Sequence, residues 1–217
     1  MPYHLEIPDF ASLSIEQRRA VRHSGSVRLK GGPGTGKSLV SMWRALGEES
    51  GTNVLILTYT LSLEFYFHQM LASARTKGNS KNIKIQRSQK TFYNASRMLS
   101  LQYDEIILDE AQDMTLEQLE LFVQNASRIS FGADYGQQLY PKFGVSEDML
   151  ERTLEVSRIF EMNRNYRSTK QILKGVRAFF PERSLPADVI ERSKDGALVE
   201  LYISGFKEEV DATYNLL

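Results

Sequence analysis

A glycine-rich segment that ends in a lysine and a serine carries the clearest chemistry in this sequence. Residues 31–38 read Gly-Gly-Pro-Gly-Thr-Gly-Lys-Ser and satisfy the pattern GxxxxGK[ST]. Glycines allow a tight turn whose N–H groups face phosphate oxygens, and the pattern places Lys37 at the β and γ phosphates and Ser38 on Mg²⁺. The alternative is a glycine turn that matches by chance, but the segment lies between a predicted strand and a predicted helix. The residues predicted to bind ATP here are Gly31, Gly34, Thr35, Gly36, Lys37 and Ser38.

An acidic pair follows a short apolar run about seventy residues later in the chain. The run Ile-Ile-Leu at 106–108 leads directly into Asp109 and Glu110. Ligands of open α/β sheets bind at the carboxyl ends of strands. We expect Asp109 to hold Mg²⁺ through water and Glu110 to act as general base on the attacking water. A solvated loop or a helix cap is the alternative, and the preceding phosphate loop favours the catalytic interpretation.

The elements that must position these residues alternate between strand and helix patterns. Short apolar runs predict buried parallel strands, and segments of helical periodicity separate them. This alternation predicts an α/β fold of the P-loop NTPase type, a three-layer sandwich around a parallel sheet. The predicted strands are 26–30, 54–58, 106–108, 129–131, 157–162 and 198–203, and the predicted helices are 13–22, 37–46, 116–123, 147–154, 168–180 and 207 onward.

Residues 62–102 form a basic stretch between two predicted strands. It contains seven Lys or Arg residues against the single acid Glu64. A local excess of positive charge of this kind is suited to a surface that follows a nucleic-acid backbone. A solvated, lysine-rich insertion is the alternative.

The composition of the chain limits which classes of function are possible. The 217 residues include 27 basic and 27 acidic side chains and no cysteine, so the whole chain has no net charge to attract nucleic acid and no thiolate for metal or catalysis. No stretch approaches the length of a membrane span, and the N-terminus has no export signal, which predicts a cytoplasmic protein that does not contact a membrane.

Five further segments share an order with the motifs of a known family. Asp109 to Asp113 read DEAQD, Ala133 to Tyr140 read ADYGQQLY, and 165–168 read NYRS. Gln17 lies in LSIEQRRAV, and Thr58-Tyr59-Thr60 follow a buried strand. Together with the phosphate loop, this ordered set resembles the motor core of superfamily 1 helicases of the UvrD/Rep type. The sequence departs from the family at Ala133, where a glycine is usual, and at Thr58-Tyr59-Thr60, where many members have an asparagine or a lysine close by.

The resemblance implies roles for individual residues. Gln17 would recognise the adenine edge, and Tyr166 would stack on the adenine ring. Gln137 would sense the γ-phosphate, and Arg167 would reach it as an arginine finger. The residues Thr58, Tyr59 and Thr60 would contact single-stranded DNA.

The resemblance also implies a domain organisation. Residues 1–162 would be the first RecA-like domain, with the basic insertion 62–102 as a small inserted subdomain that contacts DNA, and residues 163–217 would begin a second RecA-like domain. The family's motifs V and VI would lie beyond Leu217, so a partner chain or a C-terminal part absent from this sequence is expected to complete the motor.

Two functions remain open from the sequence. The first is an ATP- and Mg²⁺-dependent helicase or translocase on single-stranded DNA, with RNA as an open alternative. The second is an ATP-binding module that senses nucleotide and needs a partner protein or the missing C-terminal half for activity. A small-molecule kinase is disfavoured, because DEAQD and NYRS have no role in such enzymes.

Overall fold

A computed structural model describes residues 7–47, 52–76, 82–94, 102–138, 144–179, 181 and 187–197. Strands and helices alternate along most of this chain. The strands are β1 (Val27–Lys30), β2 (Asn53–Thr58), β3 (Asn82–Arg87), β4 (Glu105–Leu108), β5 (Ile129–Ala133) and β6 (Arg158–Glu161). The helices are α1 (Ile15–Arg22), α2 (Lys37–Leu46), α3 (Leu61–Thr76), α4 (Ser88–Tyr93), α5 (Leu116–Gln124), α6 (Glu147–Thr153), α7 (Lys170–Phe179) and α8 (Ala187–Glu191).

The six strands form one parallel sheet in the order β3-β2-β4-β5-β1-β6. Strands β4, β5 and β1 are consecutive in this order, although they are far apart in the sequence. The loops that follow these three strands therefore meet at one carboxyl edge, which is where α/β sheets bind ligands. The predicted α/β fold with a parallel sheet is confirmed.

Apolar side chains cover both faces of the sheet. One cluster joins β4 and β5 to α5 and α6 through residues such as Ile106, Phe122 and Leu150. Two clusters on the other face join the sheet to α1, α2 and α3, with Val40 and Phe67 fully buried. Burial on both faces explains why the central strands read as continuous apolar runs.

A buried arginine network fixes α2 against the sheet. The Arg44 guanidinium pairs with the Glu105 carboxylate and donates to the Ser130 hydroxyl at 3.0 Å. It also donates to the carbonyl oxygen of Ala20 at 2.9 Å. Because α2 begins at the phosphate loop, this network holds the loop's helix in a fixed position relative to β4 and β5.

The basic stretch 62–102 does not form an inserted subdomain in its described part, which corrects the interpretation above. Strand β3 pairs with β2 along six residues and is an edge strand of the main sheet. Its residues alternate, with Ile83 and Ile85 buried and Lys84 exposed, as in an edge strand. The surrounding lysines obscured this alternation in the sequence. Lys77, Lys81 and Arg97 lie outside the described residues.

The chain divides into two compact units, Met1–Arg167 and Ser168–Leu217. The division falls a few residues after the predicted boundary at 162. In the second unit, α7 and α8 pack together, and the Lys170 N–H donates to the Lys194 carbonyl at 2.8 Å. The predicted strand 198–203 and the helix from 207 lie outside the described residues. Within the described ranges, no helix combines the length and apolar character needed to cross a membrane.

Candidate nucleotide-binding site

The glycine-rich loop connects β1 to α2, as the motif requires. Gly34 and Gly36 have φ angles of 73° and 87°, in the left-handed region that favours glycine. A side chain on Gly31 would lie 2.8 Å from the Met162 carbonyl oxygen. Helix α2 begins at Lys37, so its free N–H groups and positive dipole end point toward the loop. This geometry is suited to an anion.

The loop's polar side chains are directed inward. The Thr35 hydroxyl donates to the Gly32 carbonyl at 2.8 Å and is almost fully buried. The Lys37 ammonium donates to the carbonyl oxygens of Gly31 at 2.7 Å and Gly32 at 3.2 Å. A phosphate group would offer Lys37 stronger, charge-assisted hydrogen bonds than these carbonyls do.

Ser38 and Asp109 meet between the loop and the end of β4. The Ser38 hydroxyl donates to the Asp109 carboxylate at 3.0 Å. Gly132 on β5 lies beneath both motifs, because a Cβ atom built there would be 3.6 Å from Lys37 Cβ and 3.7 Å from Asp109 Oδ1. Side chains predicted from two separate motifs are thus brought into one cluster.

The electrostatic environment of Asp109 favours a cation beside it. Burial and the neighbouring Glu110 carboxylate raise the pKa of Asp109 from 3.8 to about 7, while the Ser38 hydroxyl and the Lys37 ammonium lower that pKa in part. The carboxylate is 1% exposed. A buried carboxylate whose charge is only partly compensated is a suitable ligand for a hard cation.

The donor set fits Mg²⁺ bound together with phosphate. Mg²⁺ usually keeps several waters and takes one or two protein oxygens plus phosphate oxygens. Ser38 and Asp109 provide one hydroxyl and one carboxylate at hydrogen-bond distance. Among the described residues, no group of three or more His, Cys, Asp or Glu side chains could hold a metal on its own. Ser38 and Asp109 would therefore hold the ion, and the ion would neutralise phosphate charge.

Glu110 has a strained backbone. Its φ of 57° and ψ of 48° place it in the left-handed region, which is unusual for a residue with a side chain. Such strain costs about 1–3 kcal/mol and is often found at functional sites. The Glu110 carboxylate is half-buried and accepts a hydrogen bond from the Gln112 amide at 2.8 Å.

Gln112 connects the acidic pair to the loop after β5. Its amide Nε2 donates to Glu110, and its Oε1 accepts from the Asp134 N–H at 3.1 Å. Its backbone carbonyl accepts from the Gln138 side chain at 2.9 Å. Gln112 is 1% exposed, so these bonds are shielded from water. No role for Gln112 was predicted from the sequence, although its place within DEAQD was a signal.

Gln137 is exposed and lies at the outer end of this chain of contacts. Its amide donates to the Asp134 carboxylate. The structure therefore links Gln137 to Glu110 through Asp134 and Gln112, whereas Ser38, next to Lys37 in the chain, contacts Asp109 directly. The predicted contact of Gln137 with the γ-phosphate stays a prediction.

Gln17 braces the phosphate loop from α1. Its Oε1 accepts from the Ser14 N–H at 2.9 Å, which completes the capping box of α1. Its Nε2 donates to the Thr35 carbonyl at 3.2 Å, and a Cβ atom on Gly36 would come within 2.7 Å of it. Both ends of the amide are thus occupied by the protein itself, and adenine recognition by Gln17 stays a prediction.

The segment NYR contacts the tip of the phosphate loop. The Asn165 side chain donates to the Pro33 carbonyl at 2.7 Å, and the Tyr166 N–H donates to the Gly34 carbonyl at 2.8 Å. A Cβ atom on Gly34 would lie 2.8 Å from Arg167 Cβ. The segment therefore places Tyr166 and Arg167 beside the predicted phosphate site, which the sequence could not show. Their side chains are both exposed.

Tyr66 is a second residue that the sequence did not single out for this site. It lies on α3 and is half-buried. Burial raises the pKa of the Tyr66 phenol, the Arg167 guanidinium lowers that pKa, and the Asp109 carboxylate raises it. The phenol is thus within electrostatic range of the acidic strand end and of the predicted arginine finger.

The three residues predicted to contact DNA differ in exposure. Thr58 ends β2, is fully buried and donates from its hydroxyl to the Thr60 carbonyl at 3.3 Å. The Thr60 hydroxyl accepts from the Leu63 N–H at 3.3 Å at the start of α3. Tyr59 and Thr60 are partly exposed. Thr58 therefore shapes the turn, and Tyr59 and Thr60 are the residues of this segment that a ligand could reach.

Comparisons with known proteins give a likeness of fold. No family model and no curated protein sequence matches this chain. Arterivirus nonstructural protein 10, a helicase, aligns with a TM-score of 0.50 and 13% identity over 79% of this chain and 43% of its own. The complex of this helicase with DNA aligns with a TM-score of 0.51 and 13% identity over 79% of this chain and 44% of its own. The large terminase of the thermophilic bacteriophage D6E aligns with a TM-score of 0.51 and 12% identity over 86% of this chain and 53% of its own. The chain thus spans about half the length of these proteins, and it shares with them the RecA-like fold that surrounds the site described above.

Proposed function

We propose that this chain is the nucleotide-hydrolysing motor part of a nucleic-acid helicase or translocase of the UvrD/Rep type, with ATP and Mg²⁺ as its cofactors. The observation that carries the proposal is the cluster of Lys37, Ser38 and Asp109, in which the Ser38 hydroxyl lies 3.0 Å from the Asp109 carboxylate beneath a glycine loop. This is the arrangement that phosphoryl transfer requires, because its catalysis depends on positioning and on charge stabilisation.

The residues of the site divide the chemistry of hydrolysis among them. The loop N–H groups and Lys37 bind the phosphates, and Ser38 and Asp109 hold Mg²⁺, which neutralises charge on the phosphate oxygens. Glu110 accepts the proton of the attacking water. Arg167 stabilises the charge that develops on the γ-phosphate, and Tyr166 stacks on the base. The fold shared with a helicase and a terminase supports this assignment.

Nucleic acid is the proposed track of this motor. The arterivirus helicase whose fold is similar has been solved with DNA. Tyr59 and Thr60 follow β2 at the carboxyl edge, and the aromatic rings of Phe65 and Tyr93 are 63% and 86% exposed. Exposed aromatic side chains can stack on bases without regard to sequence. Single-stranded DNA is the proposed substrate, and residues 163–217 are proposed to begin a second RecA-like domain that a partner or further chain completes.

Nucleotide binding and single-turnover hydrolysis with and without single-stranded DNA test the proposal. We expect Lys37→Ala to abolish tight ATP binding. Glu110→Gln should keep binding and lower hydrolysis by about 10²- to 10⁴-fold, because a general base is removed. Arg167→Ala should lower hydrolysis by up to about 10³-fold with little change in affinity. The exposed residues Lys174 and Glu155 provide matched controls as Lys174→Ala and Glu155→Gln.

Two outcomes would count against the motor. ATP binding without hydrolysis in the presence of Mg²⁺ and DNA would favour the nucleotide-sensing module instead. Equal loss of binding and hydrolysis in Arg167→Ala would remove Arg167 from the finger role.

A further inference from the structure

A basic groove lies between α1 and the edge strand β6. Its volume is about 640 Å³. Four arginines and a histidine dominate its lining, together with an aliphatic and an aromatic side chain. The lining residues are Ile15, Arg18, Arg19, Arg22, His23, Arg158 and Phe160.

The positive charge of this groove is local. The whole chain has 27 basic and 27 acidic residues, so it has no net charge. The groove lining, in contrast, contains no carboxylate among the residues that the structure describes. Within those same ranges, no carboxylate lies at ion-pair distance from Arg19 or Arg158. A concentration of four arginines on a neutral protein, of which Arg19 and Arg158 have no described carboxylate partner, is the electrostatic pattern of an anion-binding surface.

Sequence periodicity explains why these side chains share one surface. Arg18 and Arg22 are four residues apart on α1, and Arg19 and Arg22 are three apart, so they are neighbours on the helix surface. On β6, Arg158 and Phe160 point to the same face, toward α1. The Arg158 guanidinium lies 5.3 Å from the centre of the Phe160 ring. Cation–π packing of this kind holds the guanidinium in place while its N–H groups stay available.

No residue of the groove lining belongs to the phosphate loop or to the acidic strand end. Arg158 begins β6 and His23 follows the end of α1, just before β1, so this end of the groove lies toward the amino edge of the sheet. Its other end, at Ile15, lies near Gln17, which contacts the phosphate loop. Lys37 and Asp109 lie at the carboxyl edge. Strand β6 is also at the opposite side of the sheet from β2, which carries the predicted DNA-contacting residues Tyr59 and Thr60.

We propose that this groove binds the phosphodiester backbone of single-stranded nucleic acid at a place distinct from the motor track. Guanidinium groups bind phosphate oxygens with two parallel hydrogen bonds and can also stack on exposed bases. An acidic protein segment would pair with the arginine charges, but it has no bases on which the guanidinium groups would stack. The groove would bind one stretch of the strand while the carboxyl edge of the sheet, the proposed motor track, binds another.

Oligonucleotide binding by charge-reversed variants of the 217-residue chain tests this proposal. The test variant is Arg19→Glu/Arg158→Glu, whose two positions are exposed and make no described ion pair. The control variant is Arg152→Glu/Arg177→Glu, which makes the same charge change on exposed positions of α6 and α7. Fluorescence anisotropy with labelled oligo(dT), without nucleotide, gives the affinity at several salt concentrations. Circular dichroism melts confirm that each variant is folded.

We expect the test variant to bind oligo(dT) at least about tenfold more weakly at 50 mM salt, and the control to match wild type. The slope of log K against log salt should fall in magnitude by about 1.4, because each phosphate contact on a single strand contributes about 0.7. Basal ATP hydrolysis should be unchanged, since neither position lies in the nucleotide site.

Three results would overturn the proposal. Equal oligo(dT) affinity of the wild type, the test variant and the control variant would exclude the groove as a binding site and leave the proposed motor function unaffected. Displacement of oligo(dT) from wild type by polyglutamate at a matched charge concentration would assign the groove to an acidic protein. Absence of any oligo(dT) binding by wild type would exclude the groove, and ATP hydrolysis measured on the same sample would report separately on the motor.

Discussion

Asp109 shows how one buried carboxylate joins stability to function. It is 1% exposed, and burial is the main cause that raises its pKa to about 7. Its charged form is therefore unfavourable in the folded protein unless a cation lies beside it. Mg²⁺ bound with nucleotide would remove this penalty, so we expect ligand binding and stability to be strongly linked here.

The pH dependence of stability tests this linkage through Asp109→Asn. Because the folded pKa of Asp109 lies above its ordinary value of 3.8, the folded state binds more protons between pH 4 and pH 7. The contribution of Asp109 to the free energy of unfolding is thus present at low pH and is lost as pH rises through about 7. Each pH unit in this window changes the free energy of unfolding by about 1.4 kcal/mol.

We expect metal-free Asp109→Asn to melt several degrees above wild type at pH 8 and close to wild type near pH 4, by differential scanning fluorimetry. Addition of Mg²⁺ and ATP should stabilise wild type but not the variant. Melting temperatures that differ equally at both pH values would disprove the pKa argument. Asp148→Asn, an exposed substitution, is the control.

Gln112 is a positioning residue that the sequence analysis overlooked. Its amide holds the Glu110 carboxylate at one end and the Asp134 N–H at the other. We expect Gln112→Glu to lower kcat by about 10- to 100-fold, because it replaces the donor to Glu110 with a second carboxylate and misorients the base. The KM for ATP should change little, since none of the described hydrogen bonds of Gln112 reaches the phosphate loop.

Steady-state hydrolysis gives kcat and KM for this variant, and its pH profile provides a second measurement. The acidic limb of the profile should shift to higher pH, because a new carboxylate beside the general base would disfavour its charged, active form. Gln118→Glu, in the capping box of α5, is a structural control that should affect melting rather than kcat. A rise in KM with unchanged kcat would contradict the positioning role.

At the scale of elements, the segment NYR and the phosphate loop form one packed unit. Gly34 has a φ of 73°, and a Cβ atom there would lie 2.8 Å from Arg167 Cβ and 2.9 Å from the Asn165 amide. The glycine is needed both for the backbone conformation and for the close approach of the segment. The segment is adjacent in sequence to the second compact unit, which begins at Ser168.

Gly34→Ala is expected to destabilise the protein by about 1–3 kcal/mol and to weaken ATP binding, because backbone strain and a steric clash combine. Asn165→Ala removes one clashing group, so the double variant should lose less stability than the sum of the single variants. Urea unfolding of all four proteins measures this coupling. Strict additivity would mean that the segment does not pack on Gly34.

Strand β3 shows a limit of sequence reasoning at this scale. Its alternation of Ile83 and Ile85 with Lys84 was present in the sequence, but the basic stretch around it suggested an insertion. Edge strands often carry lysine, which blocks unwanted pairing with other chains. Only the pairing with β2 distinguishes an edge strand from a solvated loop here.

At the scale of the whole molecule, the described contacts of the nucleotide site lie within the first compact unit. Gln17, Lys37, Asp109, Gln137 and Arg167 all belong to Met1–Arg167. A chain that ends at Ser168 should therefore bind Mg²⁺ and ATP with an affinity within about threefold of the full chain, since the first unit has its own core. Titration with a fluorescent ATP analogue measures this affinity. A loss of more than about tenfold, roughly 1.4 kcal/mol, would mean that residues 169–217 contribute to binding.

The sequence by itself determined the local chemistry and the class of fold. The phosphate loop, the acidic strand end and the capping box of α1 are encoded in short segments, because glycine freedom, carboxylate charge and side-chain capping act within a few residues. The strand runs predicted a parallel sheet for the same reason, since burial on both faces leaves a continuous apolar pattern.

The tertiary structure decided which distant segments meet. The order β4-β5-β1 brings Asp109, Gly132 and Lys37 together, and no local pattern specifies the order of strands in a sheet. The contact of Asn165 with the loop tip, the bridge made by Gln112 and the basic groove beside β6 likewise depend on packing between elements. Contacts across long sequence separations are selected by the fit of the whole core, and they become visible only when the chain is folded.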